Sequence, residues 1–548
     1  MKAIRVIILV GLIALSCFIA RGLFSMPKAT DGEIMGFSTN DVIETIKIIS
    51  QKQHSVAHTQ ERAEVREYLI SRLTAIGDTP TIYTYPNQEA KGYKFEAVDI
   101  LAEFKPLSQQ TDTTYVMLVA HYDSRYAQPF RNDTVWSYGA ADDGYGVSIA
   151  MECVETLLEK QNEWSQGVKI LYTDAEEVGM IGMKNIYEHN PEVFANVGLV
   201  INIEARGPYG AALLFETSEG NKKLIDLYKD KAHYPVSYSL TNLVYSILPN
   251  FTDFTIVRDS IPGYNFATVE DINHYHTDFD NYNNISPDAI QHYASQIMPI
   301  LNEYVTNKEY QDKEYLKSSN NYTYFTLPLI GVVMFTKNLY IWLALVLFVL
   351  YAISLIVELK KNSFSFKQMM KWSLNIFFLS LLAFVIGELI AYVSTLTSEV
   401  PFKFMGVVQG VHNDNAIMFI SVIAMVCITS LIYILIEIYN FKNYSKLLLY
   451  SSLTVLSVLN LIMALVFTES FMFLIPLSCS LIAILIWQAT KLKFMIPIAI
   501  ALIILQSVSF YYLLAMALTI GALGAVMLLL FISVPTLIAL TEIYIRKQ

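Results

Sequence analysis

The chain has 548 residues, 54% hydrophobic and 16% charged, with a formal net charge of −11. A mean hydropathy of +0.41 is too apolar for an ordinary soluble enzyme, and the length accommodates several domains. The acidic balance gives no basis for nucleic-acid binding, and four cysteines without a CxxC pair exclude a thiolate zinc site.

In chain order, the first apolar run extends from Ile4 to about Phe24, behind Lys2 and Arg5. It reads as an uncleaved transmembrane anchor within residues 1–30. The "ALSC" ending at Cys17 resembles a lipoprotein cleavage site only faintly, with Ala14 where a larger aliphatic is usual. Residues 31–312 read as a soluble domain in which short apolar runs alternate with helical patterns. "YVMLVAHYD" (115–123), "VKILYTDAEE" (168–177) and "VGLVINIEA" (197–205) are expected to be buried strands, and helices are expected near 59–76, 144–161, 219–232 and 287–307. The alternation predicts an α/β domain, a mixed sheet with helices on both faces. After a connector (313–338), residues 339–548 predict a polytopic bundle of seven transmembrane helices near 339–357, 372–394, 416–438, 446–467, 471–489, 494–511 and 517–541.

The loop charges orient these spans. With Lys2 and Arg5 cytoplasmic, the connection 358–371 falls inside and carries Lys360, Lys361, Lys367 and Lys371. Lys442, Lys446, Lys491, Lys493, Arg546 and Lys547 also fall inside, whereas Glu399, Asp414 and Glu469 fall outside, with Lys403 the one base in the loop of Glu399 and Asp414. Every connection obeys the positive-inside rule. Both termini are therefore expected in the cytoplasm and the soluble domain on the other side: periplasm or exterior in a bacterium, an organelle lumen in a eukaryote.

The chemistry collects at the strand ends, where ligands bind in open α/β sheets. "AHYDS" supplies His121 and Asp123, which share a face at i and i+2 in an extended strand. "GAADDGYG" supplies Asp142 and Asp143, "DAEEVG" Glu176 and Glu177, "NIEARG" Glu204, and "NHYHTDFD" His274 and His276. Each piece alone is ordinary, since a strand-end acid is usually solvated and an adjacent glutamate pair is usually a charged turn. Together they are acids and imidazoles with hardly a base among them, an assembly that repels itself unless cations neutralise it. Imidazole with carboxylate suits zinc, and two metals bridged by one carboxylate is an arrangement used for hydrolysis.

The ordered set "HYDS", "GAADDGYG", "DAEEVG", "NIEARGPYG" and "YHTDFD" resembles the successive motifs of metallopeptidase family twenty-eight, the di-zinc aminopeptidases, over about 41–307. A peptidase domain followed by a polytopic bundle, together with "NFTDFTIVRDSIPGYNFA", is similar to the family's branch of vacuolar membrane proteases and endoplasmic-reticulum metallopeptidases. The resemblance implies two Zn2+ ions per chain. It implies that His121 and Glu204 bind one ion, Glu177 and His276 the other, and Asp142 both. Glu176 is implied as the general base and Asp123 as the group orienting His121. Asp143 stands where the family often has Asn, which adds negative charge beside the bridge.

The remaining residues carry weaker readings. Arg206 is a candidate for binding a substrate carboxylate, with a salt bridge to the acids as the plain alternative. Tyr245 and Tyr275 are candidates for oxyanion stabilisation. His274 reads as a pocket or surface group, and His54, His58, His189, His233 and His292 as structural. Glu388, deep in a span, is expected to hydrogen-bond Asn375, Asn460 or Gln506 on another helix. The expected partners are thus a peptide substrate and the lipid bilayer. The rival functions are a glutaminyl cyclase, an inactive membrane scaffold or receptor, and a transporter-associated protein that keeps a peptidase-like ectodomain. Filled ligand positions together with Glu176 argue against the first two, and the absence of a charge network in the spans against the third.

Overall fold

The computed structural model describes residues 7, 10–18, 26–108, 113–130, 133–247, 251–440 and 444–545. Most of the first apolar run, and Lys2, Arg5, Lys442, Arg546 and Lys547, lie outside the described residues. The chain forms two units, one of Phe24–Tyr322 and the other of Met1–Leu23 with Thr323–Gln548.

The first unit is built on a seven-stranded mixed sheet. Its strands are β1 (Thr81–Ala90), β2 (Tyr93–Phe104), β3 (Tyr115–His121), β6 (Gly167–Thr173), β7 (Val197–Ala205), β8 (Leu213–Thr217) and β9 (Gly263–Thr268), in the order β1-β2-β6-β3-β7-β9-β8. The short β4 (Gln128–Phe130) and β5 (Asp133–Val135) pair in a separate ribbon. The central β6, β3, β7 and β9 run parallel, with β2 and β8 antiparallel at their flanks. Every residue of β3, β6 and β7 is buried, which is why these strands read as unbroken apolar runs rather than alternating ones. The edge strand β1 is largely exposed and accommodates Pro86 where its register shifts between Tyr85 and Gln88.

Helices cover both faces. They are α1 (Thr39–Ile49), α2 (Thr59–Ala75), α3 (Gly144–Leu158), α4 (Ile181–His189), α5 (Lys222–Lys231), α6 (Ser239–Ile247) and α7 (Pro287–Thr306). Met117, Val119, Leu171 and Val200 pack with Met183 and Ile186 of α4 and with Phe254 and Val257, while α3 packs on β3 and β7 from another side. Side-chain caps start the helices where the sequence changes character: Ser38 accepts from Asp41 N–H, Asp143 from Gly146 N–H, and Ser286 from Ala289 N–H with Pro287 following it.

In the second unit, the segment expected as a connector contains a hairpin, β10 (Tyr322–Leu327) and β11 (Gly331–Thr336), that runs directly into the bundle. Seven apolar helices follow among the described residues: α8 (Lys337–Lys360), α9 (Phe366–Ser398), α10 (Asp414–Asn440), α11 (Tyr444–Val466), α12 (Leu474–Thr490), α13 (Met495–Leu518) and α14 (Leu523–Ile545). The apolar stretch Met495–Ile545 is 51 residues long, about 75 Å if it were one straight helix, against a hydrocarbon core of about 30 Å. It is instead a hairpin: Tyr511 meets Ser533, and Lys493 just before α13 donates to the Ile543 carbonyl near the end of α14.

α9 and α14 approach closely at Gly387 and Gly524, where a Cβ on Gly387 would lie 2.6 Å from the Gly524 Cα. Glu388 lies against this contact, and a Cβ on Gly524 would come within 2.5 Å of its Oε1. The expected hydrogen bond to Asn375, Asn460 or Gln506 is not found among the described residues. Asn460 instead accepts from Tyr340 on α8, and a bare glycine backbone faces the Glu388 carboxylate.

Candidate metal centre

β3, β6 and β7 end side by side, so the loops that leave them deliver their polar groups to one edge of the sheet. His121, the last residue of β3, directs Nδ1 at Asp123, 2.9 Å from its carbonyl oxygen and 3.5 Å from Oδ1. That leaves Nε2 facing Asp142 Oδ1 at 3.4 Å and Glu204 Oε2 at 3.7 Å. On the opposite side of Asp142, Oδ2 lies 3.2 Å from His276 Nε2, and the same nitrogen lies 3.3 Å from Glu177 Oε2. Asp142 thus presents one oxygen to each histidine.

The five expected ligands therefore converge. His121, Asp142, Glu177 and Glu204 are buried and His276 is nearly so. The ligand atoms form two groups, each within 4.8 Å: His121, Asp143 and Glu204, and Asp142, Glu177 and His276. Asp143 stands at the edge of the first group with its oxygens engaged elsewhere, Oδ1 accepting from Gly146 N–H at 3.0 Å and Oδ2 from His121 N–H at 3.3 Å. It ties β3 to the start of α3.

The second group fits a cation on a direct observation: Asp142 Oδ2, Glu177 Oε1 and His276 Nε2, which face one another, are buried without a hydrogen-bond partner, and buried polar atoms left unpaired are costly. Burial, together with neighbouring carboxylates, raises the pKa of Glu204 to about 8 and that of Asp143 well above the usual range. Bound cations would relieve this mutual repulsion.

The adjacent glutamates are held apart by main-chain contacts. Asp123 accepts from Glu176 N–H at 2.9 Å through Oδ1 and from Glu177 N–H at 3.3 Å through Oδ2. Ala175, just before them, adopts a left-handed φ of 57° and turns the chain out of β6. Burial raises Glu176 well above the usual carboxylate range, assisted by Glu204 and Glu177 against the pull of His121. Burial acts on Glu177 too, but His276 and Arg125 overcome it and hold that carboxyl below the usual range.

Arg125 was not anticipated from sequence. Its Nη1 donates to the Glu177 carbonyl at 3.0 Å and to Oε2 at 2.7 Å, and its guanidinium lies 4.4 Å from the Tyr126 ring centroid. Asp280 was also missed, although it follows His276 by four residues and its carboxylate holds the loop that carries Asp142. The signal for both was adjacency to a ligand motif. Of the weaker candidates, Tyr275 stacks on His276 with ring centroids 3.5 Å apart, and Arg206 lies over Tyr275 at 5.4 Å. Tyr245 packs edge-on to Phe215 and is within electrostatic reach of Glu204 and Glu176. His274 turns away from the ligands to Asp271, Tyr209 and Phe279. His54 and His292 are buried structural groups, each held by a backbone carbonyl and pushed down to about 4 by burial.

The fold and this cluster define a class: an α/β domain with carboxylates and imidazoles gathered at its strand ends in groups able to hold metal ions, in a chain that also carries helices long and apolar enough to cross a membrane. Residues 99–301 match the model of Peptidase family M28. Among the relatives, endoplasmic reticulum metallopeptidase 1 of Homo sapiens is 29% identical over 196 residues, 35% of this chain and 21% of the relative. Vacuolar membrane protease of Schizosaccharomyces pombe is 27% identical over 264 residues, 45% and 29% of the two chains. That of Penicillium rubens is 22% identical over 320 residues, 52% and 31%. The chain thus spans less than a third of the length of these relatives. Similar solved structures include a glutaminyl cyclase of Porphyromonas gingivalis, at 18% identity and a TM-score of 0.40 over 49% of this chain and 99% of that one. A Zn-dependent exopeptidase of Parabacteroides distasonis gives 17% and 0.39 over 48% and 98%. Likeness at this level carries no argument about activity.

Proposed function

We propose that the protein is a membrane-embedded, zinc-dependent aminopeptidase whose catalytic domain lies outside the cytoplasm. The observation that carries this reading is Asp142, with one carboxylate oxygen toward each of two histidines. His121 and Glu204 would hold one zinc, Glu177 and His276 the other, and Asp142 both. Zinc bound there would supply Lewis acidity, polarising the scissile carbonyl and making water a stronger acid.

The chain's own residues do the rest. Glu176, with its raised affinity for a proton, takes one from the attacking water and returns it to the leaving amine. Asp123 keeps Nε2 of His121 turned toward the ligands and fixes the main chain of both glutamates. Tyr275 and Tyr245 flank the centre as candidate donors to the developing oxyanion, and Arg206 as a contact for the substrate. Cleavage from the N-terminus rests on the likeness of the motif set to that of the di-zinc aminopeptidases.

The test uses full-length protein purified in detergent. Two zincs per chain and hydrolysis of aminoacyl-amide probes that a chelator abolishes and zinc restores are expected. Protein that is folded, zinc-loaded and inert toward every such probe would overturn the reading in favour of a scaffold.

A further inference from the structure

Asp280 is buried at 2% exposure and is bonded to two sides of the centre at once. It belongs to the turn that carries His276, a turn closed by Asp280 N–H donating to the Thr277 carbonyl at 3.1 Å and by the Thr277 hydroxyl donating to the His274 carbonyl at 2.8 Å. Its carboxylate reaches across to the loop that carries Asp142. Oδ1 accepts from Ala141 N–H at 2.7 Å, and Oδ2 accepts from the Ser137 hydroxyl at 2.9 Å and from Asp142 N–H at 3.4 Å. Ser137 in turn accepts from Gly139 N–H at 2.9 Å, so the approach to Asp142 is tied to this side chain at three points, beside a main-chain bond from Ala140 N–H to the Asp280 carbonyl at 3.5 Å. Asp280 supplies no ligand atom to either group.

From this we infer that Asp280 is a positioning residue that sets the separation between Asp142 and His276 and thereby determines how tightly the centre holds zinc. The inference rests on the two-zinc reading above. Metal ligands must be held to within about 0.5 Å of their productive places, and this is the work of the groups behind them. Asp280 acts through backbone N–H groups, which keep their donors whatever side chain the loop carries. Losing the carboxylate removes the acceptors that hold Ala141, Asp142 and Ser137 and so frees the loop. Asn keeps one acceptor oxygen for Ala141 but turns a donor toward Ser137 and Asp142 N–H, while Ala keeps nothing.

The test measures zinc affinity by chelator competition on full-length protein in detergent, for wild type and for Ser137→Ala, Asp280→Asn and Asp280→Ala. Thermal unfolding is recorded with and without zinc. We expect at least one of the two zinc-binding steps to weaken roughly 10- to 100-fold in Asp280→Asn, less in Ser137→Ala and more in Asp280→Ala. The rise in Tm on adding zinc should shrink in the same order. A purely structural role would lower Tm equally with and without zinc and leave affinity unchanged. That result in Asp280→Asn and Ser137→Ala overturns the inference even if Asp280→Ala does not fold. A wild-type protein that binds no zinc removes the two-zinc reading itself, and the inference with it.

Discussion

Glu176 and Glu177 are chemically identical neighbours that the fold separates. Arg125 and His276 hold the Glu177 carboxylate as an anion, whereas for Glu176 burial and the neighbouring carboxylates outweigh the pull of His121 and the proton is kept to a higher pH. Glu176→Gln preserves shape and removes the acceptor for the proton. Zinc content should stay at the wild-type value while turnover falls by roughly 10²–10⁴. Glu177→Gln replaces an anion with a poor ligand and should lower zinc occupancy and activity together. Measuring metal and rate on the same samples separates the two, and zinc lost from Glu176→Gln but retained in Glu177→Gln would reverse the assignment. Asp142→Ala should release both ions, because its two oxygens face the two histidines. Elemental analysis finding two zincs in that variant would show that Asp142 is not the bridge.

The elements that could be read from sequence are those whose signal is local. β3, β6 and β7 were legible because both of their faces are covered and their apolar runs are unbroken, and the acids at their ends followed from chain order. β1 and β2 were not, since β1 is largely exposed and pairs through a register shift at Pro86. Arg125 and Asp280 escaped for a different reason. Adjacency to a ligand motif marked their positions, but their roles depend on hydrogen bonds that span 52 residues for Arg125 and Glu177 and 139 for Asp280 and Ala141. The contact between α1 and α3 is of this kind and is testable by pH. Glu152 of α3 accepts from Ser38 N–H, the cap of α1, at 2.9 Å. Burial, reinforced by the charges of Asp41 and Glu155, raises its pKa from 4.5 to about 7. The folded protein thus binds this proton more tightly than the unfolded chain, a contribution fully present below about pH 4.5 and lost as pH rises through 7. Glu152→Gln keeps an acceptor for Ser38 and carries no charge. Its Tm should exceed that of wild type at pH 8 and converge with it near pH 4.5. An equal difference at both pH values would mean that Glu152 does not titrate across this range.

For the whole molecule, the orientation in the bilayer determines which compartment supplies the substrate, and the bundle offers support beyond loop counting. The lysines expected on the cytoplasmic side come from separate connections, yet they gather around two residues. Lys361 and Lys446 both pair with Glu358, at 3.1 and 2.8 Å, and Lys446 and Lys493 both lie over Trp487, at 5.6 and 5.9 Å. Gln488 joins α12 to the same Glu358 at 3.0 Å. Glu469, expected on the opposite side, pairs with Lys337 at the other end of α8. Three basic connections therefore meet at one end of the bundle, as a single cytoplasmic face requires. The prediction follows for single cysteines placed in a background from which Cys17, Cys153, Cys427 and Cys479 have been removed. A cysteine in the 358–371 connection of intact cells should be protected from a membrane-impermeant thiol reagent and become reactive only after permeabilisation. A cysteine replacing the exposed Asn162 in the α/β unit should react before permeabilisation when that unit faces the exterior, or the periplasm once the outer membrane is opened. If the domain lies in an organelle lumen, the reagent must be applied to sealed vesicles, and the 358–371 site should be the reactive one. Reaction on the same side at both positions would require an odd change in the number of spans between them. The reverse of the expected pattern would place the metal centre in the cytoplasm, where the positive-inside reading of this chain could not stand.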